Sequence, residues 1–203
     1  MYAQLRIFPI TAWASTGAPT ITTAVKLLAT ASAEKEINNI SLELTPRVIT
    51  KTWKADNKEE QDTVKTGYEG TITFYGIDAN ALKSISNNIT DANGHTVLES
   101  SSEGTPKCVL FYQGKNAKGK KYNCWLYSVE FGEVPFKAAQ EEENPDSISL
   151  SFFAETITYT PSGGSAHAVQ GIIVYEGDTG YIPEGTEPTA SGLILPTYPS
   201  NNQ

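Results

Sequence analysis

The chain has 203 residues, a formal net charge of −8 at pH 7 and only two cysteines. This length supports one sizeable core, and a composition with 39% hydrophobic and 19% charged residues excludes a wholly disordered chain. The negative charge argues against tight electrostatic binding to DNA, because such affinity comes mainly from Lys and Arg at the phosphates.

The sequence also predicts where in the cell the protein resides. The first residues contain no apolar run that would serve as a signal peptide, and no stretch reaches the roughly 20 apolar residues of a membrane helix. We therefore expect a protein that is made and kept in the cytoplasm, without insertion into a membrane. Two cysteines are too few for a disulfide scaffold, so Cys108 and Cys124 are expected to be free thiols.

The first clear strand signal begins at Ile37. Apolar and polar residues alternate over residues 40–45, which predicts a half-buried strand that ends at Pro46. The charged and polar residues that follow predict a long polar loop over about residues 47–67. A long excursion of this kind is either disordered or ordered by a partner.

Strand and helix signals return after this loop. Residues 68–76 alternate through Ile72 and Phe74, which predicts another strand. Asp78 then has the position of an N-cap residue, and the apolar spacing that follows predicts one short flanking α-helix over about residues 78–89.

The strongest signal is a hairpin from Lys107 to Phe131. Residues 107–113 and 122–131 are rich in β-branched and aromatic types and flank a turn rich in Gly and Lys. If the turn centres near Asn116, Cys108 and Cys124 lie roughly opposite each other as a reduced pair. The candidate packing residues of the hairpin are Phe111, Tyr112, Trp125, Tyr127 and Phe131.

The second strand of this hairpin carries bulky apolar side chains on both faces. Strict alternation places Tyr122, Cys124 and Leu126 on one face. The other face then carries Trp125, Tyr127, Val129 and Phe131. Such a strand needs cover on both sides, so we expect one face to pack on its own core and the other to lie near a subunit contact or a channel wall.

The last third of the chain divides into two parts. Residues 148–158 alternate again and predict a further strand, whereas residues 161–203 are rich in Gly, Pro and Thr. We therefore predict a β domain over residues 1–160 and a C-terminal extension over residues 161–203, which is either a surface arm or a flexible tail.

The sequence offers no convincing catalytic or ligand-binding motif. Residues 114–121 imitate a phosphate-binding loop in spacing, but Lys121 occupies the position of the required Ser or Thr, and the segment joins two strands. His95 and His167 have no neighbouring Cys or acid at metal-ligand spacing. We therefore expect no catalytic residue, no metal site, no cofactor and no enzymatic activity.

The segment from Lys107 to Phe131 resembles the hairpin of phage major tail proteins, in particular those of long non-contractile tails in phages of Gram-positive hosts. Upstream, residues 51–57, residues 67–76 and the helix at Asp78 resemble the loop, strand and helix of that family. Downstream, residues 146–152 resemble its closing strand. The resemblance covers about residues 37–158.

This resemblance implies a β-sandwich or barrel-like tail tube fold with a flanking helix. It further implies hexameric rings that stack into a tube in the tail of the virion, assembled in the host cytoplasm. The implied partners are other copies of the chain, the tape-measure protein, and tail terminator and distal tail proteins. Double-stranded DNA passes through such a tube without specific binding.

On this interpretation the predicted loop makes the contacts between subunits. Its candidate contact residues are Trp53, Lys54, Asp56, Asn57, Glu59, Glu60 and Asp62. Two alternatives remain open from the sequence. One is a related virion component, such as a tail terminator or a contractile-tail tube protein, and the other is a glycan-binding β-sandwich.

Overall fold

A computed structural model describes residues 5–26, 41–55, 58–75, 89–90, 92–93, 96–97, 106–132 and 147–198. These residues form strands and connecting segments, with one short 3₁₀ turn at Ala190–Gly192. The first strands are β1 (Leu5–Trp13), β2 (Pro19–Ile21), β3 (Val25–Lys26), β4 (Ser41–Ala55), β5 (Lys58–Tyr75), β6 (Ile89–Thr90) and β7 (Thr96–Val97). The later strands are β8 (Cys108–Lys115), β9 (Lys121–Phe131), β10 (Ser147–Glu155), β11 (Ile157–Tyr159), β12 (His167–Val169) and β13 (Gly171–Tyr175).

Nine of these strands form one antiparallel sheet. The main path runs β2-β1-β8-β9-β10-β5-β4, with β3 paired to β1 and β13 paired to β9. The strands β11 and β12 form a separate hairpin, and so do β6 and β7. The prediction of a mainly β protein is confirmed at this level, whereas the sandwich or barrel arrangement stays a prediction.

The predicted hairpin is present as β8 and β9. The side chain of Asn116 organises its turn, because Asn116 Oδ1 accepts hydrogen bonds from the backbone N–H groups of Lys118 and Lys120, each at 3.0 Å. Gly119 adopts a positive φ of 80° within the turn, a conformation that favours glycine. The turn is therefore fixed by local hydrogen bonds, and it joins two strands, whereas a phosphate-binding loop joins a strand to a helix.

The predicted register of this hairpin is wrong by about two residues at its turn. Lys115 pairs with Lys121, so the turn centres on Lys118. Cys124 consequently lies opposite Tyr112, and Cys108 lies opposite Val129. The two cysteines are both free and buried, but they are not cross-strand neighbours.

A bulge in β9 also overturns the predicted division of its side chains. Leu110 pairs with Leu126 and Cys108 pairs with Val129, so two residues of β9 oppose a single residue of β8. The extra residue inverts the alternation beyond this point. Val129 and Phe131 therefore pack with Cys124 and Leu126, and not with Trp125 and Tyr127 as strict alternation predicted.

The large sheet has a buried cluster on each face. On the first face, the cluster contains Leu5, Ile7, Ile72, Cys108, Leu110, Cys124, Leu126, Val129, Phe131, Leu150, Phe152 and Ala154. On the second face, the cluster contains Phe8, Val109, Phe111, Trp125, Tyr127 and Ile157. The strands β8 and β9 contribute to both clusters, which is why both of their faces are apolar in sequence.

One edge of β9 is shared by two strands that are distant in sequence. Val129–Phe131 pair with β10, whereas Tyr122–Leu126 pair with β13. Because β10 and β13 are both antiparallel to β9, they run in the same direction along this edge. The hairpin of β11 and β12 is an excursion between them.

The structure places β13, from the predicted C-terminal extension, inside the large sheet. The proposed boundary at residue 160 remains a prediction about domain organisation. The predicted helix over residues 78–89 lies outside the described residues, except that Ile89 begins the short strand β6.

Candidate functional site: a projecting ribbon

The predicted loop over residues 47–67 is wrong, because this segment consists of strand. The strands β4 and β5 pair continuously from Ser41 with Thr73 to Ala55 with Lys58. The sequence predicts a loop here because the segment is rich in charged and polar residues. The strand β4 also continues past Pro46. It is an edge strand of the sheet, where the missing N–H of a proline is tolerated.

This long hairpin divides into two parts at a bulge. Arg47 pairs with Gly67 and Val48 pairs with Lys65, so Thr66 is the extra residue. Gly67 is also the first residue of β5, in chain order, that pairs with β10. Beyond this point the hairpin continues as a two-stranded ribbon, which we define as residues 48–55 and 58–65.

Contacts at the bulge fix the base of the ribbon. Thr156 Oγ1 donates a hydrogen bond to the carbonyl oxygen of Thr66 at 3.0 Å, and Gln170 Nε2 donates to Thr156 Oγ1 at 2.8 Å. Gly67 packs so closely that a Cβ atom there would lie 2.3 Å from the carbonyl oxygen of Ala154. The ribbon therefore leaves the sheet at a tightly packed junction.

The base of the ribbon exposes apolar side chains. Val48 is 54% exposed, and Ile49 and Val64, which pair with each other, are each 44% exposed. Because Val48 and Ile49 are consecutive in a strand, they lie on opposite faces of the ribbon. An isolated two-stranded hairpin is only marginally stable in water, so an exposed ribbon with apolar residues on both faces is suited to a partner.

The candidate contact residues are brought together at the far end of this ribbon. Trp53 pairs with Glu60, Lys54 with Glu59 and Lys51 with Asp62. Asp56 and Asn57, which join the two strands, lie outside the described residues. Sequence reasoning therefore selected one end of a ribbon, but it missed Val48, Ile49 and Val64, whose exposure becomes visible only in the structure.

The candidate packing residues of the β8–β9 hairpin divide between the two faces. Trp125 contacts Phe111 with ring centroids 4.7 Å apart and Phe8 with centroids 5.5 Å apart, all on the second face. Tyr127 lies on the same face, whereas Phe131 and Tyr112 pack with the first-face cluster. None of Phe111, Trp125, Tyr127 and Phe131 is exposed enough to contact another subunit.

The second face of β9 is covered by the C-terminal part of the same chain. The cover that this face needs therefore comes from its own fold, and its nearness to a subunit contact or channel wall stays a prediction. Ile182, Leu193 and Leu195 pack against Trp125 and its neighbours. We call residues 176–198 the strap. It begins at a turn after β13 and crosses the aromatic cluster.

Polar contacts hold the strap at several points. Gln113 Nε2 and Asn123 Nδ2 both donate to the carbonyl oxygen of Ile182, at 2.8 and 3.2 Å. Tyr127 Oη donates to the carbonyl oxygen of Ile194 at 2.8 Å. Buried hydroxyl and amide groups on the second face thus find partners in the strap backbone.

Two ion pairs also join the strap to the sheet. Arg6, which is almost completely buried, places Nε 2.9 Å from Glu187 Oε1. Lys121 Nζ lies 2.8 Å from Glu184 Oε2, and hydrogen bonding to Glu184 raises the pKa of Lys121. Both carboxylates belong to the strap, and both cations belong to the strands beneath it.

A separate charged cluster lies at the start of β8. Lys107 pairs with Glu155 and has Nζ 3.6 Å from Glu130 Oε1, while Ser128 Oγ lies 3.5 Å from Glu155 Oε2. The hydrogen bond to Glu155 raises the pKa of Lys107 against the opposing effect of burial. The cluster joins three strands and has the composition of a structural ion pair.

Metal-ligating side chains do not cluster among the described residues. These residues contain no group of three His, Cys, Asp or Glu side chains placed to hold a metal ion. An open trough of about 510 Å³ lies over the ends of β9 and β10 beside β4 and β5. Its side chains include Arg47, Glu69, Glu130 and Phe153, and Arg47 is already stacked on the Phe153 ring at 4.9 Å.

In the part of the chain that the structure covers, no helix is both long enough and apolar enough to cross a membrane.

Comparison with known proteins identifies no family. No protein-family model matches the sequence, and no curated protein matches it. Among solved structures, the chain is similar to one described as a crystal structure of Hcp protein, with a TM-score of 0.33 and 8% sequence identity. The match covers 82% of this chain and 98% of that chain.

Proposed function

We propose that the chain is a structural protein that assembles with copies of itself, and that its assembly is the tube of a long non-contractile phage tail. The observation that carries this proposal is the ribbon, which projects from a well-packed sheet and exposes Val48, Ile49 and Val64. The resemblance over residues 37–158 supplies the identity of the tube. The protein acts without catalysis or cofactor.

In this proposal, subunits form hexameric rings, and the ribbon of one subunit packs on a neighbour. A ribbon that packs on a different surface of the next copy makes a head-to-tail contact, and such contacts close into rings or extend as filaments. The rings stack around the tape-measure protein, end at tail terminator and distal tail proteins, and later conduct DNA. The protein is assembled in the host cytoplasm and resides in the tail of the virion.

The negative charge of the chain suits the passage of DNA through a tube. The chain carries 23 acidic and 15 basic residues. A wall with a negative balance conducts DNA without gripping its phosphates, because it offers few cations to displace counterions.

The proposal is tested by shortening the ribbon. Residues 49–64 are replaced by Asn-Gly, which forms a tight turn between Val48 and Lys65, a directly opposed pair. We expect a folded subunit that stays monomeric, because the sheet is retained and the docking element is lost. Negative-stain microscopy and sedimentation velocity of wild-type and shortened protein give the comparison.

A milder variant separates apolar docking from ribbon length. Ile49→Thr with Val64→Thr keeps residues that favour strands but removes the exposed apolar pair. We expect assembly to require a several-fold higher protein concentration. Rings formed equally well by the shortened protein would overturn the assignment of the ribbon, and a wild-type protein that stays monomeric at high concentration would overturn the function.

A further inference from the structure

The strap differs from the rest of the fold in how it is held. Apart from the short turn at Ala190–Gly192, residues 176–198 form no regular secondary structure among the described elements. Beyond one backbone hydrogen bond, from Glu176 N–H to the Lys121 carbonyl oxygen, their contacts with the sheet include apolar packing, hydrogen bonds from side chains and two ion pairs. The strands beneath are joined by continuous backbone ladders, so the strap and the sheet depend on different interactions.

The junction between strap and sheet also contains poorly satisfied polar atoms. Among the described residues, three buried side-chain atoms have no hydrogen-bond partner, and they are Gln113 Oε1, Trp125 Nε1 and Tyr181 Oη. Gln113 and Trp125 lie under the strap, and Tyr181 belongs to it. Because the side chains of Gln113 and Tyr181 interact with each other, Trp125 Nε1 is the clearest unsatisfied group. Burial of a polar group without a partner is unfavourable, which weakens closure of the strap.

A defined turn separates the strap from β13. Tyr175 N–H donates to Asp178 Oδ2 at 3.2 Å, and Asp178 N–H donates to the Tyr175 carbonyl oxygen at 2.9 Å. Gly177 and Gly180 have positive φ values of 97° and 88°, which allow the chain to reverse sharply here. The turn gives the strap a hinge, while β13 stays in the sheet through its pairing with β9.

We propose that the strap is releasable, so that residues 176–198 lift from the second face as a unit while the sheet beneath stays folded. The ion pairs of Glu184 and Glu187 hold the strap against the sheet. Release of the strap exposes the aromatic side chains of Phe8, Phe111, Trp125 and Tyr127. Because salt screens the more exposed pair of Lys121 with Glu184, high ionic strength favours the open state. Local opening below the cost of global unfolding is the general behaviour of such weakly held elements.

The test follows the exposure of Trp125, which is fully buried under the closed strap. In full-length protein with Trp13→Phe and Trp53→Phe, Trp125 is the remaining tryptophan, since the sequence has three. Acrylamide quenching of its fluorescence then reports strap opening. We expect Glu184→Gln with Glu187→Gln to raise the quenching constant at least threefold at low salt.

Two comparisons keep the test specific. Glu43→Gln with Glu69→Gln removes the same charge from β4 and β5, and quenching should stay at the level of the parent protein. Raising the salt concentration to about 1 M should increase quenching in the parent and change it little in the Glu184/Glu187 variant.

Hydrogen exchange supplies the second measurement. Backbone amides of β8 and β9 should exchange equally slowly in the parent and in the Glu184/Glu187 variant, because the ladder is intact. Quenching that stays at the parent level, or that rises together with exchange throughout β8 and β9, would show that the strap does not open independently, and either result overturns the proposal.

Discussion

At the scale of single residues, burial controls the chemistry of the two thiols. Cys108 and Cys124 lie in the first-face cluster, where Cys108 Sγ contacts the Val129 carbonyl oxygen at 3.4 Å. Burial raises the pKa of Cys124 to about 12 and that of Cys108 as well, because a thiolate there would be desolvated. The reactive form is therefore suppressed in the folded protein.

This burial predicts how the thiols respond to a disulfide reagent. At pH 8 we expect the native protein to release almost no thionitrobenzoate from Ellman's reagent, and the urea-unfolded protein to release two equivalents at once. Rapid reaction of either thiol in the native protein would contradict the buried placement. Absence of reaction in urea would instead show that the cysteines are oxidised.

The Lys107 cluster predicts a pH dependence of stability. Lys107 has a raised pKa in the folded protein, so its contribution to stability is complete below the unfolded pKa and is lost as pH rises through the folded one. We expect the free energy of unfolding to fall more steeply above about pH 10.5 in wild type than in Lys107→Met.

Urea denaturation of both proteins at several pH values measures this difference. The comparison with Lys107→Met is needed because burial also raises the pKa values of Tyr112, Tyr122 and Tyr127, which add their own alkaline destabilisation to both proteins. Parallel curves for the two proteins would rule out the Lys107 contribution.

At the scale of elements, the attachment of β13 depends on a glycine. A Cβ atom at Gly171 would lie 2.1 Å from the Trp125 carbonyl oxygen, which belongs to the facing strand. We expect Gly171→Ala to destabilise the protein by about 1–3 kcal/mol, because β13 must shift away from β9. Gly192→Ala is the matched control, since its nearest side-chain atom lies at 3.4 Å, and urea denaturation compares the two.

The sequence predicted those elements whose signal is local. The hairpin of β8 and β9 combines β-branched and aromatic strands with a Gly-rich turn, and it was found. Its register was missed because a turn rich in Lys and Gly is compatible with several centres. The faces of Val129 and Phe131 were missed because a bulge inserts one residue without leaving a composition signal.

The ribbon and the strap were missed for opposite reasons. The ribbon is exposed at its base on both faces, so its strands lack the alternation that marks a half-buried strand. The strap is partly buried, but its apolar residues follow neither the period of a strand nor that of a helix. Turns separate Ile182 from Leu193 and Leu195, which are the residues that pack on the sheet. The candidate contact residues that the structure describes between Trp53 and Asp62 lie on one ribbon because they are close in sequence, and their role in subunit contact stays a prediction.

At the scale of the whole molecule, the C-terminal region completes the fold. It supplies β13 to the open edge of β9 and the strap to the second face. We expect a chain truncated after Thr160 to lose cooperative unfolding, because β9 loses its backbone pairing with β13. We also expect it to bind the dye ANS, because Phe111, Trp125 and Tyr127 lose their cover.

Thermal denaturation followed by circular dichroism measures cooperativity in this truncated chain. The control is a chain that ends after Tyr198, which keeps both β13 and the strap. A truncated protein that melts with the same midpoint as the control would support the predicted boundary at residue 160 as a true domain limit.

The divided edge of β9 has a consequence for the order of folding. Its pairing with β8 closes a turn of a few residues, whereas its pairing with β13 must wait until more than 40 further residues of chain are available. Contacts between distant residues form slowly because loop closure costs entropy. We therefore expect the β8–β9 hairpin to act as an early nucleus, and the newly made chain to carry a half-open edge until β13 arrives.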